Sequence, residues 1–422
     1  MNLLNTSILN GLAVFIKTVT MLVLNKILAV YVGPSGYAVI GQFQNFVQVI
    51  TGIGGSFINN GIVKYTAEYH EDDQLQRRLW ATSSKLIILF TLLISFVIIC
   101  SSFYLSQVIF KHHDYWSVFV WLAIFLVFFN LNGFLLAIIN GKKEIVKLVS
   151  ANIGGTLITL LATYVLVVSY GLYGALIALA INQSVAFFLT WFIARKSQWY
   201  QPQIFWGKID KSLAKKLSAF ALMALVSVVV GNITQFILRS YVVKTYGWDY
   251  AGYWDAMNRL SLGYLMFAST IIGVYYLPKL SELKQYNEIK KEVRMGYLVI
   301  LPIATLSAAM VYLFKELVVE ILFTAQFKPM LELLFWQLIG DVLRIGSWII
   351  TYMMLSRAMT RLFISLETFF LVSIIPLTML LAHLYGFKGI ALAFAVNNLF
   401  YWITCVFFAN KKLKNDLSPL KV

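Results

Sequence analysis

Five cations stand inside otherwise apolar stretches of this 422-residue sequence: Lys17, Lys26, Arg239, Arg259 and Arg344. Three carboxylates accompany them, Asp255 and Asp341 within apolar stretches and Glu367 near the boundary of one. A cation at the centre of a membrane helix costs roughly 2.5–3.5 kcal/mol on insertion scales, so it normally faces a partner or a wet cavity rather than lipid. A desolvated set with a positive balance suits the holding of an anion. Lysine and arginine bind phosphate oxygens through charge-assisted hydrogen bonds, and several of them can follow a diphosphate along a path. A pathway for organic cations would want the reverse, carboxylates or an aromatic box, and the first half of the chain has no carboxylate within an apolar span.

Lys17 is the deepest of these cations, ten residues after Ser7 in an apolar stretch that runs to Gly36 without a single carboxylate. It is the first candidate for an anion contact. Lys26 follows nine residues later, half a turn round a straight helix. Both can line one cavity only if the helix bends or the cavity wraps it, and Lys26 is near enough to the outer end to snorkel. Arg239 is either an anion ligand or an interfacial anchor. Arg259 follows Asp255 by one helical turn, and Arg344 follows Asp341 by three residues. Each couple reads as a local ion pair that lowers the cost of both charges, or as a switch that an incoming anion opens. Asp255 and Asp341 then tune the cations, and either could couple transport to protons or sodium.

The elements that carry these residues are membrane helices. The sequence is 60% hydrophobic and 12% charged, against about 25% charged in a soluble domain. Long apolar runs, rather than alternating ten-residue segments, exclude an outer-membrane barrel. Twelve spans are expected at about 7–32, 36–58, 84–110, 116–139, 147–169, 173–194, 216–243, 250–277, 295–314, 331–355, 362–384 and 388–410. The first is expected to act as a signal anchor, since neither a basic leader nor a cleavage site precedes it. Of the 34 lysines and arginines, 24 fall in the connections after even-numbered spans and at the C-terminus, and five in the opposite loops. That asymmetry puts both termini in the cytoplasm and explains the net charge of +16 without nucleic acid. Most of the 11 Trp and 23 Tyr belong to interfacial belts and helix packing.

The chain also repeats itself. Tyr170-Gly171-Leu172-Tyr173-Gly174-Ala175 recurs in the second half as Tyr385-Gly386-Phe387-Lys388-Gly389-Ile390, and Gly36-Tyr37 matches Gly252-Tyr253. Two six-helix lobes as parallel repeats follow, 1–195 and 216–422, joined by a basic cytoplasmic linker at 196–215 and enclosing a central cationic cavity. No catalytic constellation is present: the four histidines and two cysteines lack metal-ligand spacing, and no phosphate-binding glycine loop occurs. The chain is therefore expected to be a transporter, not an enzyme, with no cofactor.

Several stretches resemble the polysaccharide-transport branch of the MOP flippase superfamily, the Wzx-type O-antigen and lipid III flippases. They include Leu28-Ala29-Val30 with Gly33-Pro34, Asn45-Phe46, Lys64-Tyr65, Leu222-Met223-Ala224-Leu225, Tyr276-Leu277-Pro278 and Phe335-Trp336-Gln337-Leu338. The resemblance runs along nearly the whole chain. It implies movement of undecaprenyl-diphosphate-linked oligosaccharide across the inner membrane of a Gram-negative bacterium, alongside an O-antigen polymerase and a chain-length regulator. It carries Lys17, Lys26, Arg239 and Asp341 onto matching positions, and a basic residue onto Arg344. Asp255 and Arg259 depart from it, which suits a different sugar repeat unit. The alternatives are a multidrug exporter of the same superfamily, which would favour acidic cavity residues, and a polymerase, which would need a large outward loop.

Overall fold

A computed structural model describes residues 3–202, 209–272, 276–283, 285–357 and 359–417. The side chains of 3–10, 12, 13, 219–227, 264, 267, 270, 271, 277, 278, 281 and 415–417 lie outside that description. Lys208, Lys284, Lys421 and the side chains of the motifs at 222–225 and 277–278 therefore fall outside the described residues. Helices account for the described secondary structure: α1 (Leu3–Tyr31), α2 (Gly33–Ile53), α3 (Asn59–Glu68), α4 (Asp73–Phe110), α5 (Trp116–Gly141), α6 (Ile145–Ala194), α7 (Lys211–Tyr246), α8 (Trp248–Ile271), α9 (Leu277–Glu282), α10 (Tyr286–Leu313), α11 (Lys315–Leu322), α12 (Leu331–Ser356), α13 (Thr360–Tyr385) and α14 (Lys388–Leu417). Among the described residues there is no strand.

Local chemistry sets the breaks. Between α1 and α2 the chain turns at Gly33, with φ 71°, and Pro34 opens the next helix where its missing N–H costs nothing. Asp72 caps α4 by accepting from the Leu75 amide at 2.8 Å. Segment 36–58, expected as one span, instead breaks at Gly54-Gly55, and α2 meets Ser56–Glu68 at 64°. A polar brace holds this break. Asn130 accepts from Ser56 Oγ at 3.0 Å and donates to Thr91 Oγ1 at 3.0 Å, and Thr91 donates to the Gly54 carbonyl at 2.8 Å. Segments 147–169 and 173–194 are the two arms of α6, which breaks at Gly171 with φ 56° and ψ −131°.

Among the described residues, eight helices are long and apolar enough to cross a membrane, nine if the bent α2–α3 pair is one span. Large apolar side chains such as Leu93, Phe96, Leu161, Leu306 and Leu313 are exposed, a surface that a bilayer covers. The chain is a multi-pass membrane protein.

Contacts divide it into two units, Met1–Ile233 and Thr234–Val422. The core of the first centres on Trp80, Tyr65, Phe134, Ile138 and Phe187, and takes in Leu213 and Leu217 from the start of α7. Trp80 Nε1 donates to Thr66 Oγ1 at 2.9 Å, so α3 is pinned to α4. Lys216 donates to Tyr69 at 2.9 Å and fastens the beginning of α7 to the same unit. The second core holds Tyr276, Ile349, Met353, Tyr401 and Cys405. Within lipid such contacts act through close packing and interhelical hydrogen bonds, because tails are as apolar as the side chains. Helices α5 and α12 occupy equivalent places in the repeat. Their starts, Trp116 and Leu331, and their ends, Gly141 and Ser356, are offset by the same interval that separates Gly171 from Gly386.

Candidate functional site

The second unit builds its polar centre on the α7–α8 hairpin. Arg239 donates through Nε to Asp255 Oδ2 at 2.7 Å and through Nη2 to Oδ1 at 2.6 Å. Both side chains are 5% exposed, and the guanidinium lies 5.7 Å from the ring of Trp254. The fork-to-fork geometry matches the planar guanidinium to the carboxylate and cancels two charges whose separate burial would be prohibitive. This corrects two expectations from the sequence. Arg239 is buried rather than anchored at an interface, and both oxygens of Asp255 go to the neighbouring helix rather than chiefly to Arg259 one turn along. Arg259 is half-buried on α8.

Asp341 on α12 is fully buried and accepts from Ser261 Oγ of α8 at 2.7 Å and from Gln337 Nε2 at 3.4 Å. The expected pair with Arg344 does not form. The Arg344 guanidinium stands 5.7 Å from the ring of Trp348 and makes no ion pair among the described residues. Residues 341 and 344 lie on the same face of the helix, yet Asp341 turns to Ser261 and Gln337 and Arg344 to Trp348. Sequence reasoning misses Ser261 and Gln337, because a serine after Arg259 and a glutamine in an apolar run carry no pairing signal. Glu367 on α13 accepts from Tyr401 of α14 at 2.6 Å.

The first unit contributes Lys17 and Lys26 on α1. Lys17 is exposed and makes no hydrogen bond or ion pair among the described residues, whereas Lys26 is half-buried. A lone ammonium at this depth on an apolar helix is open to an anionic ligand. The same unit holds an interhelical amide pair that sequence reasoning also misses, Asn132 Nδ2 to Gln183 Oε1 at 2.6 Å. The two asparagines at 130 and 132, within an otherwise apolar run, are the available signal. Among the described residues no group of three or more His, Cys, Asp or Glu could hold a metal ion. In the first unit an open ammonium and an amide pair, and in the second a buried ion pair, each offer polar contacts to a ligand.

A family model described as polysaccharide biosynthesis protein matches residues 3–284. Lipid III flippases of Escherichia coli (strain K12) and of Shigella flexneri are each 30% identical over 409 residues, which cover 96% of this chain and 97% of theirs. Among solved structures, the inward-facing conformation of a multidrug resistance MATE family transporter of the MOP superfamily aligns with a TM-score of 0.78 at 15% identity, over 96% of both chains. A MOP superfamily transporter from Pyrococcus furiosus, described as having a binding pocket of reverse polarity, aligns with a TM-score of 0.61 at 13% identity over 96% of both chains. At such identities the likeness establishes the fold alone. By the match of its sequence, this chain belongs to the polysaccharide biosynthesis protein family, and it is built on the fold of the MOP-superfamily transporters.

Proposed function

We propose that this protein is a transporter, a flippase that moves a polyprenyl-diphosphate-linked oligosaccharide from the cytoplasmic to the outer leaflet of a Gram-negative inner membrane by alternating access. The observation that carries the reading is identity to lipid III flippases along 96% of the chain. The intramembrane cations agree with it. Lys17 and Lys26 of the first unit and Arg259 and Arg344 of the second are the candidates for charge-assisted contacts to its diphosphate. Arg239 already has a carboxylate, so it would reach the substrate only by exchanging Asp255 for phosphate. Such an exchange could couple binding to rearrangement, and Asp255 or Asp341 could take up a proton or sodium ion during it. Twelve crossings with both termini cytoplasmic, and contact with a polymerase and a chain-length regulator, belong to the same reading. The exporter alternative draws only on fold similarity, since the MATE transporters are 13–17% identical.

Deletion in the source organism, followed by analysis of lipid-linked sugars and surface polysaccharide, tests this. Lipid-linked repeat units should accumulate in the cytoplasmic leaflet, and the wild-type gene should clear them. Lys17→Ala should insert normally and fail to do so. Unchanged surface polysaccharide, in a strain with no second flippase, would return the chain to the exporters.

A further inference from the structure

Asn132 on α5 is 2% exposed and its Oδ1 has no hydrogen-bond partner among the described residues. Its Nδ2 goes to Gln183 on the second arm of α6, and Gln183 is exposed. The Gln183 Nε2 donors are likewise without a partner among the described residues. Asn59, at the start of α3, lies beside the same stretch of α5. A Cβ placed on Gly133 would come within 2.6 Å of Asn59 Nδ2, so a side chain there would push this amide aside. The Oδ1 of Asn59 is buried and also unpartnered. Asn132 and Gln183 thus meet across α5 and α6, with Asn59 beside the next residue of α5, and the three leave two acceptors and two donor groups without partners among the described residues.

Their depth gives this meaning. Gln183 sits midway between the Gly171 break and Ala194 at the end of α6, and Asn132 sits two and a half turns before Gly141 at the end of α5. At 1.5 Å per residue both lie roughly 14–18 Å from the helix ends, deep in a hydrocarbon core about 30 Å thick. An exposed amide at that depth cannot face lipid without an unmet hydrogen bond, so Gln183 faces a wet path. Simple polar glue between helices would leave nothing over. The repeat makes the comparison direct. The counterparts of Asn132 and Gln183 in the second half, Ser347 and Asn398, return their hydrogen bonds to their own helices, at Arg344 O (2.7 Å) and Phe394 O (2.8 Å).

We infer that Asn59, Asn132 and Gln183 form a subsite for the sugar hydroxyls or acetamido groups of the lipid-linked substrate, separate from the cations that would take its diphosphate. This rests on the flippase reading above. Idle carbonyl acceptors require a ligand that donates. A diphosphate at neutral pH has only acceptors and would leave the idle carbonyls unmet, and a polyprenyl chain has neither donors nor acceptors. A sugar hydroxyl both donates and accepts, as an amide does. Neutral hydrogen bonds also release more readily than charged ones, as a ligand that must leave in the other leaflet requires.

The test compares two probes on the full-length purified protein. One is undecaprenyl diphosphate, the other the undecaprenyl-diphosphate oligosaccharide extracted from cells of the source organism lacking this gene. Binding is followed by native mass spectrometry for wild type, Gln183→Met and Asn132→Ser. Gln183 is exposed, so its variant should fold even if the buried one does not; detergent melting curves check both. We expect about tenfold weaker binding of the glycosylated probe to Gln183→Met, roughly 1.4 kcal/mol, with undecaprenyl diphosphate unaffected. Equal loss for both probes, or no loss, in a wild type that binds the oligosaccharide would overturn the subsite and leave the flippase reading standing. A wild type that binds neither probe above a neutral phospholipid would overturn both.

Discussion

Arg239 and Asp255 stand eight residues on either side of Gly247, whose φ of 97° makes the turn between α7 and α8. Residues equidistant from the turn of an antiparallel hairpin meet across it, and this simple symmetry selects the pair. The charges themselves are legible in the sequence, but the pairing is not, because an i, i+4 partner in Arg259 offers a shorter route. A buried pair contributes little net stability, yet removing one member strands the other. Arg239→Ala should therefore destabilise the protein by about 3–5 kcal/mol, and Asp255→Ala by a similar amount. The double variant Arg239→Met with Asp255→Leu should recover most of that loss, seen as a melting midpoint in detergent near the wild-type value. If it melts as low as the single variants, the two charges are not chiefly each other's partners. Its transport should still fail if the pair exchanges with phosphate.

At the scale of the helix, the recurrent Tyr-Gly-x-x-Gly pattern does the same work twice. Gly171 and Gly386 carry φ 56° and 68°, with ψ −131° and −152°, a backbone region closed to residues with a Cβ. Three residues on, a Cβ at Gly174 would strike the Leu166 carbonyl, and one at Gly389 the Leu381 carbonyl, eight residues upstream in each case. The first glycine reverses the chain and the second lets the following helix return against the first. Gly171 has open space around it, so Gly171→Ala should cost only its backbone strain, about 1–3 kcal/mol. Gly174→Ala must move backbone against backbone and should cost more. The ratio of folded to aggregated protein in size-exclusion profiles would rank them, and Gly389→Ala should behave as Gly174→Ala. This repeat is readable because glycine requirements are local. The break at Gly54-Gly55 is not, because what holds it, Asn130 with Thr91 and Ser56, comes from distant parts of the chain.

Over the whole molecule twelve spans are expected, and among the described residues eight helices are long and apolar enough to be spans. One helix, α6, contains two of the expected spans; α2 is broken and carries Gln42, Gln44, Asn45 and Gln48; α8 carries Asp255 and Arg259. Both α2 and α8 are loaded with polar side chains, as expected of helices that line a wet path rather than face lipid. Basic residues then remain the strongest guide to orientation. Alkaline phosphatase, active only outside the cytoplasm, should be active when fused after His113, Gly247, Lys315 or Gly386. Green fluorescent protein, which folds only inside, should fluoresce after Lys143, Lys211, Arg357 or Lys414. Phosphatase active also after Gly33 and Gly171, and fluorescence also at the N-terminus and after His70 and Gln285, would complete the alternation and establish twelve crossings. If phosphatase fused after Gly247 were silent, α7 and α8 would form a re-entrant hairpin and Arg239–Asp255 would lie at its base. The bidentate pair would then close one end of a path instead of bracing its wall, and its replacement by Met and Leu should leak small solutes instead of slowing transport.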